Sequence, residues 1–197
     1  MFDTIINRNL MFLQKYGVKM ETEEDKDIYR YGLKILYSYI IDVSIIFSLA
    51  SCFGRLYETG IMTLVFAILQ VFGGGYHAKT KLKCSLLMII GAVIGNILIM
   101  LLFNYPFVSI ISSVIVSTVI FILVPITNEK HSVSKKTFRR SAFITRFIIA
   151  LIVSATLLLM TFNRNIEMAT IVTTLYLYFV SLVVAKFKNS DFSHQRK

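Results

Sequence analysis

The stretch CSLLMIIGAVIGNILIMLLFNYPFVSIISSVIVSTVIFILVPITN (84–128) contains 45 residues and no Asp, Glu, Lys or Arg. At a rise of about 1.5 Å per residue, a continuous helix of this length is about twice as long as the ~30 Å hydrocarbon core of a bilayer. The stretch therefore predicts two membrane spans. Because proline cannot continue a helix, the break between them is expected at Asn104-Tyr105-Pro106.

Four further apolar runs bring the predicted number of spans to six. They cover residues 35–53, 60–75, 147–162 and 168–185. The second of these runs has only 16 residues and ends in three glycines. As a helix it reaches about 24 Å, so its end is expected inside the cytoplasmic leaflet. The pattern predicts an all-α, polytopic membrane protein with six transmembrane helices.

The composition agrees with a membrane protein and excludes several other classes. Hydrophobic residues make up 56% of the chain and charged residues 16%, and the mean hydropathy is +0.70. Soluble domains have about 45–50% apolar and about 25% charged residues, so a soluble enzyme fits poorly. A nucleic-acid-binding domain also fits poorly, despite the net charge of +10. With two Pro and two Cys, the chain is neither collagen-like nor a disulfide scaffold.

The distribution of Lys and Arg predicts the orientation of the spans. From the N-terminus onward, the segments between the spans carry 6, 1, 3, 0, 6, 1 and 4 of these residues. Because Lys and Arg concentrate on the cytoplasmic side, this alternation predicts that both termini are cytoplasmic. We divide the chain into an N-terminal amphipathic region with a linker (1–34), a six-span domain (35–187) and a basic cytoplasmic tail (188–197).

The first twenty residues show helical periodicity rather than the continuous apolar run of a signal peptide. They predict an amphipathic helix in the membrane interface, although a soluble helix covering the cytoplasmic face explains the pattern nearly as well. Thr22 and Asp25 have the spacing of a cap for a following helix. The apolar face consists of Phe2, Ile5, Ile6, Leu10, Leu13, Tyr16 and Met20.

Polar and small residues also lie within the predicted spans. Asp42 is in the middle of a span, where a carboxyl group is costly; a functional role and a packing role explain it equally well. Arg146 is near a cytoplasmic end and can reach the lipid headgroups. Gly91 and Gly95 have the spacing of a helix contact and give a weak indication of a homodimer. Interhelical hydrogen bonds are expected from Asn96, Ser109, Ser112, Ser113, Ser117 and Thr118.

The segment QVFGGGYHAKTKLKC (70–84) concentrates the residues that can carry chemistry. Cys84 is a candidate nucleophile, and His77 is a candidate base and acid because imidazole titrates near neutral pH. The cations that favour a thiolate are Lys79, Lys81 and Lys83. The backbone N–H groups that can bind an oxyanion or an extended peptide are those of Gly73, Gly74 and Gly75.

Each member of this pair also has a simpler explanation. A cysteine in a membrane protein is often a small apolar residue, and a single histidine in a loop is usually solvated. Cys52, which has no histidine near it in the sequence, fits that explanation. The chain has no HEXXH or CxxC spacing, so neither a zinc site nor another cofactor is expected.

Helix geometry limits how His77 and Cys84 can act together. Residues seven apart in a straight helix share a face but are about 10 Å apart along the axis, too far for a hydrogen bond. A catalytic pair therefore requires a break in the helix, and the three glycines supply one. Such non-helical backbone is tolerated at membrane depth where it lines a cavity.

The Gly-Gly-Gly-Tyr-His-Ala run (73–78) followed by Cys84 resembles the accessory gene regulator protein B family. The similarity extends to the chain length, the amphipathic start and the six-span layout. Members of that family are cysteine endopeptidases of quorum sensing in the bacterial cell membrane. The resemblance implies that His77 and Cys84 are the catalytic pair. Family members often have a basic residue at the position of Gln70, which leaves the role of Gln70 open.

The resemblance also implies a substrate and partners. The enzyme would remove the C-terminal tail of an AgrD-type precursor through an acyl-enzyme thioester and help to form a cyclic autoinducing peptide. The precursor's amphipathic leader would lie in the bilayer interface beside residues 2–20, and its acidic tail would meet the cytoplasmic cations.

Two other functions compete with this interpretation. A small transporter or channel with an ion site at Asp42 accounts better for that carboxyl group. It does not account for the segment 70–84. A non-catalytic membrane assembly factor is the third hypothesis.

Overall fold

A computed structural model describes residues 2–18, 22–76, 78, 80–125 and 135–194, without the side chains of 2, 3, 81, 135–137 and 189–194. Within these residues the protein is all-helical and has no strand. The helices are α1 (Phe2–Lys15), α2 (Glu23–Cys52), α3 (Leu56–Gly73), α4 (Lys81–Phe103), α5 (Pro106–Leu123), α6 (Lys135–Thr161) and α7 (Asn165–His194).

Six of these helices, α2 to α7, are long and apolar enough to cross a membrane. The predicted all-α class and the six spans are therefore confirmed. The break after residue 103 is also confirmed, because α5 begins with Pro106 as its first helical residue. The second span has 18 residues and begins at Leu56, four residues earlier than predicted.

Two helices begin well before the predicted spans. α2 starts at Glu23 rather than at residue 35, and α6 starts at Lys135 rather than at residue 147. Charged residues mark where a helix leaves the hydrocarbon, but they do not end the helix. In α2 the extension is supported by local ion pairs three residues apart, Lys26–Glu23 at 2.7 Å and Arg30–Asp27 at 2.6 Å.

The predicted cap at the start of α2 is confirmed. The backbone N–H of Asp25 donates to the Thr22 hydroxyl oxygen at 3.1 Å, and the backbone N–H of Thr22 donates to the Asp25 carboxylate at 3.1 Å. These reciprocal bonds satisfy two donors that a helix start leaves without partners.

The chain divides into two compact units, Met1–Ile45 and Ile46–Lys197. In the first unit, Ile6 and Leu10 of α1 are buried and pack with Leu33 and Tyr37 of α2. The predicted α1 helix is confirmed, but it ends at Lys15, so the predicted apolar face stops short of Tyr16. Tyr16 lies in the turn after the helix and is 71% exposed, and Met20 lies outside the described residues. A position of α1 in the interface remains a prediction.

Helix α7 is the most buried helix of the second unit. In its apolar window 56% of residues are buried, against 17–22% in the other five candidate spans. It packs against α3, α4, α5 and α6. Its buried apolar residues join two clusters, one containing Leu175, Tyr178 and Leu182, the other containing Ala169. The last helix of the chain is thus the core of this unit.

The predicted interhelical hydrogen bonds are partly confirmed. The Asn96 amide of α4 donates to the Thr59 hydroxyl of α3 at 3.1 Å, and both residues are buried. Ser109 of α5 donates to the Leu102 carbonyl of α4 at 3.0 Å. The prediction is wrong for three residues, because each donates to a carbonyl of its own helix three or four residues earlier: Ser112, Ser113 and Thr118. The Ser117 hydroxyl is buried without a hydrogen-bond partner among the described residues.

The two glycines of the predicted dimer contact have different surroundings. A Cβ at Gly95 would lie 2.6 Å from the Met62 sulfur and 3.2 Å from Leu177, so Gly95 allows close packing within the chain. Gly91 has open space beside it. The homodimer therefore remains a prediction that rests on Gly91 alone. Arg146 is exposed, and its guanidinium lies 5.0 Å from the Phe121 ring centroid. Its extension towards the headgroups remains a prediction.

Candidate active site

The connection between α3 and α4 (residues 74–80, here the α3–α4 break) interrupts the helix as the sequence predicts. α3 ends at Gly73 and α4 begins at Lys81. Gly74 has φ 76° and ψ −168°, in a region that favours glycine, and its N–H donates to the Gln70 carbonyl at 3.2 Å. The break therefore begins at a position whose backbone conformation only glycine adopts without strain.

The two neighbouring glycines allow α7 to approach this connection closely. A Cβ at Gly73 would overlap the Tyr178 hydroxyl and lie 2.8 Å from the Thr145 methyl group. A Cβ at Gly75 would lie 2.9 Å from the Ser181 hydroxyl oxygen. The structure thus gives both glycines a packing role; the role in binding an oxyanion remains a prediction for Gly73, Gly74 and Gly75.

Tyr76 is held at three points, here called the Tyr76 contacts. Its backbone N–H donates to the Ser181 hydroxyl at 3.0 Å, and its carbonyl accepts from the Gln70 amide at 3.4 Å. Its phenol oxygen accepts from the Lys188 ammonium at 2.6 Å, and the same ammonium lies 4.6 Å from the ring centroid. The first half of the break is therefore fixed by α3 and α7.

Cys84 lies in the first turn of α4. Its N–H donates to the Thr80 carbonyl at 3.1 Å, and it is half-buried with a free thiol. The first turn of α4 contains no acidic residue. Cys84 is thus a free thiol at the start of a helix, directly after the break, with no carboxylate in its own turn.

Not every predicted site residue can be placed. His77 and Lys79 lie outside the described residues, as does the side chain of Lys81. Lys83 is described and exposed. The described residues contain no group of three or more His, Cys, Asp or Glu residues able to hold a metal ion.

The other residues singled out in the sequence lie elsewhere. Cys52 is the last residue of α2 and is exposed, and its thiol is 3.5 Å from the Ser48 carbonyl. Asp42 belongs to the first unit and is 8% exposed. The structure does not test the transport hypothesis built on Asp42. A cavity of about 620 Å³ is lined by Tyr57, Arg164 and Glu167 among others, none of them from the segment 70–84.

Sequence reasoning missed the residues of α7 that hold the break. Lys188 counted only as a charge that sets orientation, and Ser181 carried no signal at all. Their partner Tyr76 is more than 100 residues away in the sequence. Ser181 and Lys188 are seven residues apart and so share a helix face. Nothing in that spacing identifies what the face contacts.

Comparisons with known proteins identify the family of this chain. The family model described as Accessory gene regulator B matches residues 6–184. A Clostridium acetobutylicum protein named as AgrB-like is 29% identical over 100 residues, which are 51% of this chain and 48% of that protein. The chain thus spans about half the length of the curated relative it matches. No solved structure matches significantly.

The family match covers the second unit almost completely, including the α3–α4 break and α7 up to residue 184. Together with the six candidate spans, it makes the protein a multi-pass membrane protein. The resemblance seen in the sequence is confirmed, and the chain belongs to the accessory gene regulator B family.

Proposed function

We propose that this protein is a membrane cysteine endopeptidase that removes the C-terminal tail of an AgrD-type quorum-sensing precursor. Family membership supports a role in processing such a peptide. The observation that carries the cysteine chemistry is the position of Cys84. It is a half-buried free thiol in the first turn of α4, directly after a glycine-containing break in the helix.

The reaction begins at the scissile peptide bond of the precursor. His77 takes the thiol proton, and the Cys84 sulfur attacks the carbonyl carbon. The C–N bond then breaks, and His77 gives the proton to the leaving amine. The products are a free C-terminal tail and an acyl-enzyme thioester on Cys84.

A second step releases the peptide as a ring. A Cys or Ser side chain within the bound peptide gives its proton to His77, attacks the thioester carbonyl and displaces the Cys84 thiolate, which takes the proton back from His77. A thiolactone formed in this way is close in energy to the thioester, so water has to be kept out to prevent hydrolysis. Backbone N–H groups of Gly73, Gly74 or Gly75 are suited to stabilise the oxyanion of either step.

The proposed orientation places both termini and the α3–α4 break on the cytoplasmic side of the bacterial cell membrane. Lys79, Lys81 and Lys83 are then available to the precursor's acidic tail. The proposed boundaries after residues 34 and 187 lie inside α2 and α7, so they divide the chain by composition rather than at the ends of helices. Membrane-impermeant thiol reagents test the orientation, which requires that Cys84 react from the cytoplasmic side and Cys52 from the other.

The decisive experiment looks for the covalent intermediate. Purified protein in lipid vesicles is mixed with a tagged AgrD-type precursor, quenched in acid and analysed by mass spectrometry of the Cys84 peptide. We expect an adduct with the mass of the precursor without its tail. The Cys52 peptide serves as the internal control and stays unmodified. Tail release without any adduct on Cys84, in repeated rapid-quench samples, contradicts the proposal.

A further inference from the structure

One face of α7 contacts the end of α3 and the first residues of the α3–α4 break. Tyr178, Ser181 and Lys188 are three and seven residues apart, which places them on the same side of the helix. Tyr178 lies against Gly73, and the Ser181 hydroxyl lies against Gly75. Further along the same face, Lys188 contacts Tyr76. This face therefore meets successive residues of the segment that leads to His77.

The Tyr76 contacts fix both the backbone and the side chain of one residue. The N–H, the carbonyl and the phenol oxygen each have a partner, on α7, α3 and α7 respectively. Because consecutive Cα atoms are held about 3.8 Å apart, fixing Tyr76 restricts where the next residue can lie. The next residue is His77.

The contact with Lys188 is the strongest of the three on chemical grounds. An ammonium that donates to a phenol oxygen forms a charge-assisted hydrogen bond. Its position over the ring adds a cation–π interaction. Lys188 is half-buried, whereas Lys186, two residues earlier on α7, is exposed. The two lysines can therefore be compared by mutation, because they carry the same charge and differ in their contacts.

We propose that Ser181 and Lys188 are positioning residues, which hold Tyr76 in place and through it help the candidate base His77 to act on Cys84. This inference rests on the proposed function and extends it to the far end of the chain. Catalytic groups have to be held within fractions of an ångström of the productive geometry. A break that contains Gly74 and Gly75 does not supply that rigidity by itself. The contacts with α7 supply it.

The test measures thiol reactivity, so it needs no precursor. The full chain carrying Cys52→Ser is placed in lipid vesicles, and iodoacetamide alkylation of Cys84 is timed. The readout is the rate near neutral pH divided by the rate at alkaline pH, which cancels differences in access. His77→Ala lowers this ratio, because the base that maintains the thiolate is gone. We expect Ser181→Ala and Lys188→Met each to lower it by about 3- to 10-fold.

The controls separate positioning from charge and from general packing. Lys186→Met removes the same charge from the same helix and leaves the ratio unchanged. Ser154→Ala is the matched control for Ser181→Ala and also leaves the ratio unchanged, since the Ser154 hydroxyl donates to the carbonyl of Ala150 in its own helix. Lys188→Arg restores most of the ratio, because a guanidinium also donates to the phenol and stacks on its ring. Tyr76→Phe, a milder change, lowers the ratio and makes Lys188→Met lower it little further.

The outcomes distinguish this inference from the proposed function. If His77→Ala lowers the ratio while the Ser181, Lys188 and Tyr76 variants keep the wild-type value, positioning by α7 is wrong and the catalytic pair stands. If His77→Ala itself leaves the ratio unchanged, both proposals are wrong.

Discussion

The α3–α4 break and the connection between α6 and α7 (residues 162–164, here the α6–α7 turn) are both short connections of the second unit, but they are held in different ways. In the α6–α7 turn, Arg164 pairs with Glu167 three residues later; its Nε donates to the carboxylate at 2.8 Å. This hydrogen bond also raises the pKa of Arg164. In the α3–α4 break, Tyr76 is held by Ser181 and Lys188, more than 100 residues away.

The difference indicates which connection depends on the assembled unit. A turn held by its own neighbours forms wherever its two helices meet, and it tolerates change. A break held by a distant helix keeps its geometry only when the whole unit is assembled. The contacts that the break needs are therefore the ones we expect function to depend on.

The largest expected effect is loss of precursor cleavage when the proposed catalytic residues next to the break are changed. Cys84→Ala abolishes processing of a tagged precursor co-expressed with the protein, because the nucleophile is gone. Cys84→Ser is nearly inactive, since a hydroxyl is far harder to ionise than a thiol. His77→Ala keeps a trace, because neighbouring lysines still favour the thiolate. Gel mobility of the precursor measures each result.

Two variants outside the break serve as controls for that experiment. Cys52→Ala and Arg164→Met process normally, with membrane abundance measured alongside. Full cleavage of the precursor by Cys84→Ala contradicts the cysteine-peptidase proposal. It also removes the functional difference between the two connections and favours the transport hypothesis.

A smaller but still severe effect is expected for Gly73→Ala. The added methyl group overlaps the Tyr178 hydroxyl, and overpacking of this kind costs about 1–3 kcal/mol. Tyr178→Phe in the same chain removes the overlapping oxygen and recovers part of the loss. Unfolding midpoints in detergent and precursor cleavage are measured for both variants. No recovery in the double variant means that the Tyr178 contact is not the cause.

Neutralising Lys79 in the break together with Lys81 and Lys83 at the start of α4 has a moderate effect. Lys79→Gln, Lys81→Gln and Lys83→Gln together reduce cleavage by about 3- to 10-fold at low salt, because they favour the thiolate and attract an acidic tail. The difference from wild type shrinks at high salt, since exposed charges are screened within about 8–10 Å. Arg55→Gln, at another connection, changes cleavage little. An unchanged rate in the triple variant reduces these lysines to residues that set orientation.

The smallest effect is expected in the α6–α7 turn. Asn163 has φ 53°, in the left-handed region that Asn tolerates better than most residues. Asn163→Gly therefore changes the free energy of unfolding by at most about 0.5 kcal/mol and leaves cleavage unchanged. Equilibrium unfolding in detergent is the measurement. A loss of cleavage here means that the two connections are not as different as their contacts indicate.

The same contrast explains how much the sequence predicts. Span number, the break at Pro106 and the Thr22–Asp25 cap follow from local signals such as charge-free length, proline and capping residues. The break after Gly73 follows from consecutive glycines. Helix starts were predicted too late in α2 and α6, because the sequence marks the hydrocarbon edge and not the hydrogen-bonded helix.

Contacts between distant helices leave no such signal. The serines of α5 show this. The Ser109 hydroxyl reaches the Leu102 carbonyl of α4 as well as the carbonyl four residues earlier, whereas Ser112 and Ser113 donate to carbonyls of their own helix. All three have the same chemistry, and only the packing decides between the outcomes. Ser181 and Lys188 are a second case: their residue types are ordinary, and their partner is known only once α7 is placed.

The position of α7 at the core has a consequence for how the protein is made. α7 follows α3 and α4 in the chain, so it leaves the ribosome after them, and every contact that Ser181 and Lys188 make with Tyr76 waits for it. A nascent chain that has inserted α3 and α4 already contains His77 and Cys84, yet α7 does not support its break. The proposed peptidase activity therefore has to wait for α7, and a chain cut short before residue 181 would enter the membrane without these contacts.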